Sequence, residues 1–226
     1  ARYPATGEAG VSVILWDLDD TLLDTLPGRS RALAHAHETL LGTSVDAEAL
    51  WRSHRGGTLE QMGQRLMGAD FGRFVTTYRE RYYGQPREIR PFEGVEAMLR
   101  TFHEAGFAMG IVTSKLSWGA TEELQMAGIL QYFHTIVGSD DTDTHKPDPE
   151  PIYLALDRMV ADDPMGAVFI GDSPADVWAA RNAGIESIAA LWGTLDPGLV
   201  LDARPDHTAR TPGEVLTILA EMGFGQ

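Results

Sequence analysis

Residues 11–25 read Val-Ser-Val-Ile-Leu-Trp-Asp-Leu-Asp-Asp-Thr-Leu-Leu-Asp-Thr, and the reading of this stretch decides the fold. Val13, Ile14, Leu15 and Trp16 form an unbroken apolar run, the pattern of a strand buried on both faces. The run delivers three carboxylates within four residues, Asp17, Asp19 and Asp20, followed by Thr21. Like charges this close repel and raise one another's pKa. A divalent cation relieves that repulsion, and oxygen-only ligands favour Mg²⁺ over zinc. In open α/β sheets ligands sit beyond the carboxyl ends of strands, where these acids fall. An acidic loop whose side chains cap the next turn is the plain alternative. The motif alone leaves both open.

Working outward, four more apolar segments read as strands: Phe107–Val112, Thr135–Gly138, Ala167–Ile170 and Ser187–Leu191. Helical spacing covers 94–105, 118–127, 151–159, 175–183 and 212–222, so strand and helix alternate. That alternation predicts an α/β fold with a doubly wound parallel sheet. Between Arg29 and Tyr83 the chain shows no strand pattern. Segments 29–41, 45–54, 59–67 and 71–83 read as helices, preceded by a turn-rich exit over 22–28. The organisation expected is a core from residues 11–24 and 88–226, with a smaller all-helical domain, residues 25–87, inserted after the first strand. An insert there can close over a site and exclude water.

Each remaining polar cluster has a structural and a functional reading. Thr113 and Ser114 end the second strand, where hydroxyls before a helix hold a phosphate or simply cap that helix. Lys146 sits in an otherwise acidic segment, as Lys146-Pro147-Asp148-Pro149, and can reach a phosphoryl oxygen or serve as a surface cation before a helix. Gly171-Asp172-Ser173-Pro174-Ala175-Asp176 ends the fourth strand. Asp172 faces the expected site, and Asp176, four residues on, supports the cluster or meets the helix dipole. Arg55-Gly56-Gly57 is the loop within the insert where an arginine could reach an anion, although a solvated turn is the commoner use.

Taken in order, Asp17-Leu18-Asp19-Asp20-Thr21, Thr113, Lys146 with its KPxP context, and the GDxxxD segment resemble the four motifs of the haloacid dehalogenase superfamily. The resemblance covers essentially the whole chain and lies nearest the phosphoglycolate phosphatase-like group with a helical cap. It implies a Mg²⁺-dependent phosphatase acting on a small phosphomonoester, phosphoglycolate-like or a sugar phosphate, through a phosphoaspartate. Asp17 is the implied nucleophile and Asp19 the implied general acid and base. Mg²⁺ is implied on Asp17, the Asp19 carbonyl and Asp172, with Asp176 supporting. Thr113, Ser114, Lys146 and, from the insert, Arg55 are implied to hold the substrate. Asp19 argues against carbon–halogen cleavage, whose branch lacks that second acid. The absence of lysine between residues 22 and 90 excludes the Schiff-base phosphonate branch. A phosphosugar mutase and a catalytically idle binding protein remain as alternatives.

Composition narrows the partners. A formal net charge of −15 argues against nucleic acid and anionic membranes. It also repels an anionic substrate at long range, so a site for one must be locally positive or metal-bearing. With no cysteine, disulfides, thiolate metal sites and cysteine nucleophiles are excluded. No apolar run suits a membrane helix. Residues 1–10 lack the apolar segment of a signal peptide and read as a loose leader. A cytoplasmic monomer or homodimer working on a small phosphorylated metabolite is the resulting expectation. There are only two lysines, Lys115 and Lys146, against sixteen arginines, so lysine-dependent chemistry has two candidates.

Overall fold

The computed structural model describes residues 13–54, 56–159 and 166–223. The leader-like residues 1–10 and Arg55 lie outside the described residues. Six strands form one parallel sheet: β1 (Val13–Trp16), β2 (Ala108–Val112), β3 (Thr135–Val137), β4 (Ala167–Gly171), β5 (Glu186–Ala190) and β6 (His207–Ala209), in the order β3-β2-β1-β4-β5-β6. Strand β1 is central, with Trp16 beside Ile111 on one side and Ile170 on the other. The chain winds away from β1 in both directions, leaving a crevice beyond its carboxyl end.

The pleat sends alternate side chains to opposite faces. Ile14 and Trp16 join the layer under α5 (Val95–Glu104), α6 (Ser117–Met126) and α10 (Pro212–Glu221), where Trp16 meets Phe102. Val13 and Leu15 join the opposite layer with Phe169, under α7 (Glu150–Arg158) and α8 (Pro174–Ala183). All four β1 side chains are buried, which is why that run carries no polar residue. Strand β6 and the short helix α9 (Pro197–Asp202) add an edge that periodicity does not reveal. β6 is three residues long and reads His-Thr-Ala, too short and too polar to register as a strand.

Helices α1 (Leu26–Leu41), α2 (Ala47–His54), α3 (Leu59–Met67) and α4 (Phe71–Tyr83) follow the acidic loop and share a third hydrophobic cluster. Ala32, Leu33, Phe74 and Tyr78 lie at its centre. Helix α1 starts at Leu26, inside the segment whose composition suggests a turn. Pro27 falls in its first turn, where a missing N–H costs nothing and the fixed φ suits a helix. The chain enters and leaves this bundle through one paired crossing. Asp24 N–H donates to Arg90 O at 3.0 Å, and Phe92 N–H donates to Leu22 O at 3.0 Å.

Candidate active site

The carboxyl ends of β1, β2 and β4 converge on one cavity of about 620 Å³, walled on its far side by α1–α4. Asp17 directly follows β1, and its N–H extends the ladder by donating to Ile170 O at 2.8 Å. Lys146, on the loop before α7, points into the same place. Its ammonium donates to Asp17 Oδ1 at 2.7 Å, to Asp176 Oδ1 at 2.7 Å and to Val112 O at 3.1 Å. Asp176 works twice. Its Oδ2 accepts from the N–H and hydroxyl of Ser173, closing the capping box of α8, while Oδ1 holds Lys146. Gly171 permits this, because a Cβ there would overlap the Asp176 carboxylate.

Asp172 completes the acidic group. It accepts from the Thr21 hydroxyl at 3.1 Å, and one oxygen each of Asp17, Asp172 and Asp176 lie within 4.8 Å of one another. Burial pushes the Asp17 carboxyl up to about 7 despite the pull of Lys146. Burial, then the charges of Asp20, Asp17 and Asp176, push Asp172 well above the carboxylate range. Burial alone would lower Lys146, but Asp17 and Asp176 hold it above its ordinary value. Asp17 and Asp176 therefore share one close cation, Asp172 has the Thr21 hydroxyl, and all three offer hard oxygen donors. That donor set and its charge deficit fit a divalent cation such as Mg²⁺.

The acidic loop is held from several directions. Asp20 adopts φ 63°, a left-handed conformation that Asp tolerates better than most residues. Trp192 Nε1 donates to Thr21 O at 2.8 Å, and Gly193 lets the loop after β5 pack against the Asp20 carbonyl, which a Cβ would strike. Asp19 Oδ1 accepts from the Thr25 hydroxyl and from Lys115 Nζ at 2.9 Å, with Arg29 Nε at 3.6 Å. Arg29 also reaches Asp20 at 2.6 Å. Burial would raise Asp19, but Arg29, Lys115 and Thr25 together hold it below the usual carboxylate range.

Of the residues singled out in the sequence, Asp17, Asp19, Thr113, Ser114, Lys146 and Asp172 all line this cavity. Asp176 stands behind it through Lys146, and Thr113 is buried, its Oγ1 accepting from Lys115 N–H at 3.2 Å. Gly56 and Gly57 also line the cavity, while Arg55 falls outside the described residues. Lys115 enters the sequence reading only as one of the two candidate lysines, and Arg29 is not singled out there. A signal for Arg29 was present, because it falls on the buried stripe of α1 with Ala32, Leu33 and Ala36.

The family model for haloacid dehalogenase-like hydrolases matches residues 14–190. The chain belongs to the haloacid dehalogenase-like hydrolases. It is similar to the pyrophosphatase PpaX of Bacillus velezensis, 31% identical over 210 residues, covering 92% of this chain and 96% of that protein. It is also similar to the phosphoglycolate phosphatase of Aquifex aeolicus, 26% identical over 208 residues, covering 92% and 96%. Among solved structures, a haloacid dehalogenase-like family hydrolase from Streptococcus pneumoniae superposes with a TM-score of 0.82 at 27% identity, covering 92% of this chain and 98% of that one. This haloacid dehalogenase-like enzyme is thus a hydrolase of the phosphatase group, built on the doubly wound α/β sheet described above. None of its described helices is long and apolar enough to cross a membrane.

Proposed function

We propose that the protein is a Mg²⁺-dependent phosphatase of small phosphoesters that works through a phosphoaspartate on Asp17. The observation that carries this reading is the placement of Asp17. It is a carboxylate at the end of the central strand, 2.7 Å from Lys146 and open to a cavity lined by Thr113 and Ser114. Asp17 attacks phosphorus and the ester oxygen departs. Asp19, two residues on, protonates that oxygen and then takes a proton from the water that cleaves the acyl phosphate. For this it turns from the cations that keep it ionised toward the cavity and first takes up a proton from solvent water. Thr113, Ser114 and Lys146 hold the transferring oxygens.

Asp17 and Asp172 would hold the Mg²⁺, together with the Asp19 carbonyl, and Asp176 fixes Lys146 beside them. The cation supplies charge neutralisation at the phosphoryl group and favours the ionised form of Asp17. Helices α1–α4 act as a cap that excludes water and meets the leaving group. The assigned relatives are named as a pyrophosphatase and a phosphoglycolate phosphatase, which supports a small substrate over a macromolecular one.

The test is phosphate release from phosphoglycolate, pyrophosphate, sugar phosphates and p-nitrophenyl phosphate, with and without Mg²⁺. The expected result is metal-dependent release that disappears in Asp17→Asn. Full activity in that variant would overturn the role of Asp17. Isomerisation of a sugar phosphate without net release would overturn the phosphatase reading in favour of a mutase.

A further inference from the structure

Beside the phosphoryl site, the cavity has a second wall that the mechanism leaves unused. Lys115 follows Thr113 and Ser114, and Arg29 projects from the first turns of α1. Their side chains are 7% and 9% exposed. Both lean on one oxygen of Asp19, Oδ1. Lys115 also meets Glu123, which Arg87 holds at 2.9 Å, and Arg29 also meets Asp20. When Asp19 turns to the bridging oxygen of an ester, these two cations lose a shared anion in a buried place. Each keeps one carboxylate, Glu123 for Lys115 and Asp20 for Arg29, and each regains room for a second anion.

A third group faces the same space. Tyr82 is 3% exposed and borders the cavity, and its fully buried hydroxyl has no hydrogen-bond partner among the described residues. Its ring is fixed by stacking on Tyr78 and edge contact with Tyr83, and Lys115 Nζ lies 5.5 Å from the ring centroid. Burial keeps this phenol neutral well past its ordinary range, so it remains a donor. A buried O–H with no acceptor is costly, and a ligand acceptor removes that cost.

We infer that Arg29, Lys115 and Tyr82 form a subsite for an anionic leaving group, so that preferred substrates carry a second negative charge, a carboxylate or a phosphate, besides the phosphoryl group transferred. The subsite rests on the phosphatase reading for what lies next to it. Its own logic is charge exchange: the substrate's anion takes over the two cations that Asp19 releases, and Tyr82 donates to it.

The experiment separates the two readings by measuring binding apart from turnover. Asp17→Asn protein loaded with Mg²⁺ is titrated calorimetrically with 2-phosphoglycolate, pyrophosphate and 2-hydroxyethyl phosphate, a phosphoester of similar length whose distal end is neutral. One or both probes with a distal anion should bind at least about tenfold tighter than the one without. The tighter of the two shows whether carboxylate or phosphate is the natural anion. Lys115→Met in the same background should bring the preference to within about twofold. Tyr82→Phe, which removes an O–H that makes no bond in the fold, should keep the melting temperature and reduce the preference several-fold. Equal binding of all three probes, or a preference that survives both substitutions, overturns the subsite. A preference for anions in a wild-type protein that releases no phosphate overturns the phosphatase reading and leaves the subsite standing. Phosphate release without any anion preference does the reverse.

Discussion

Lys146 Nζ lies 2.7 Å from Asp17 Oδ1 and 2.7 Å from Asp176 Oδ1, in a pocket where its side chain is 5% exposed. Removing one partner of a buried pair leaves the others uncompensated, at a cost of about 3 kcal/mol or more. Lys146→Met should therefore destabilise the cation-free protein by about 3 kcal/mol at pH 8, read from urea unfolding. A change below about 1 kcal/mol would mean that the ammonium is not holding the carboxylates together.

Asp17 yields a pH dependence. Its folded value of about 7 lies above the ordinary 3.8. Its share of stability is thus present below the unfolded value and is lost as pH rises through the folded one. A cation that binds the ionised form must displace that proton at lower pH. Mg²⁺ affinity should rise as pH rises from about 5 toward 7, roughly tenfold per pH unit for each proton that the cation displaces. Calorimetry across that range checks it. An affinity independent of pH would place the proton elsewhere.

Asp19→Asn should cut turnover of alkyl phosphates by about 10²- to 10⁴-fold. The loss should be much smaller for p-nitrophenyl phosphate, whose leaving phenolate needs little help from an acid. Comparing kcat/KM for the two ester types, which reads the phosphorylation step and not the later hydrolysis common to both, gives the answer. An equal loss for both would assign Asp19 to positioning rather than proton transfer.

Gly193→Ala tests the support of the acidic loop from β5. The added Cβ would strike the Asp20 carbonyl, which is backbone and cannot rotate away. Overpacking of this kind costs about 1–3 kcal/mol. The variant should melt at a lower temperature, and its kcat should fall as Asp17 and Asp19 shift with the loop. An unchanged melting temperature would show that the loop yields freely.

Much of this was legible before any coordinates. The central strand announces itself because β1 is buried on both faces and carries no polar residue until Asp17. Asp17, Asp172 and Lys146 stand out because charge at the end of an apolar run has few structural uses. Short edge elements stayed hidden. His207-Thr208-Ala209 owes its strand conformation to pairing with β5 rather than to its own pattern. Arg29 and Glu123 stayed hidden for a different reason. Each lies on a helix face with buried neighbours, Ala32 and Leu33 for one, Ala120 and Leu124 for the other. In sequence each looks like an ordinary helical charge. Only the tertiary structure shows that they face each other across Asp19 and Lys115. A charged residue on an apolar stripe is the trace that sequence reading could have followed.

The two lysines of the chain have a consequence for its covalent chemistry. Both ammonium groups are turned into the same cavity, and neither side chain is more than 7% exposed. The outer surface therefore offers acylating and carbonyl reagents no lysine amine at all. Any lysine adduct such a reagent forms lies within the pocket, so protection against labelling becomes a direct gauge of whether that pocket is filled.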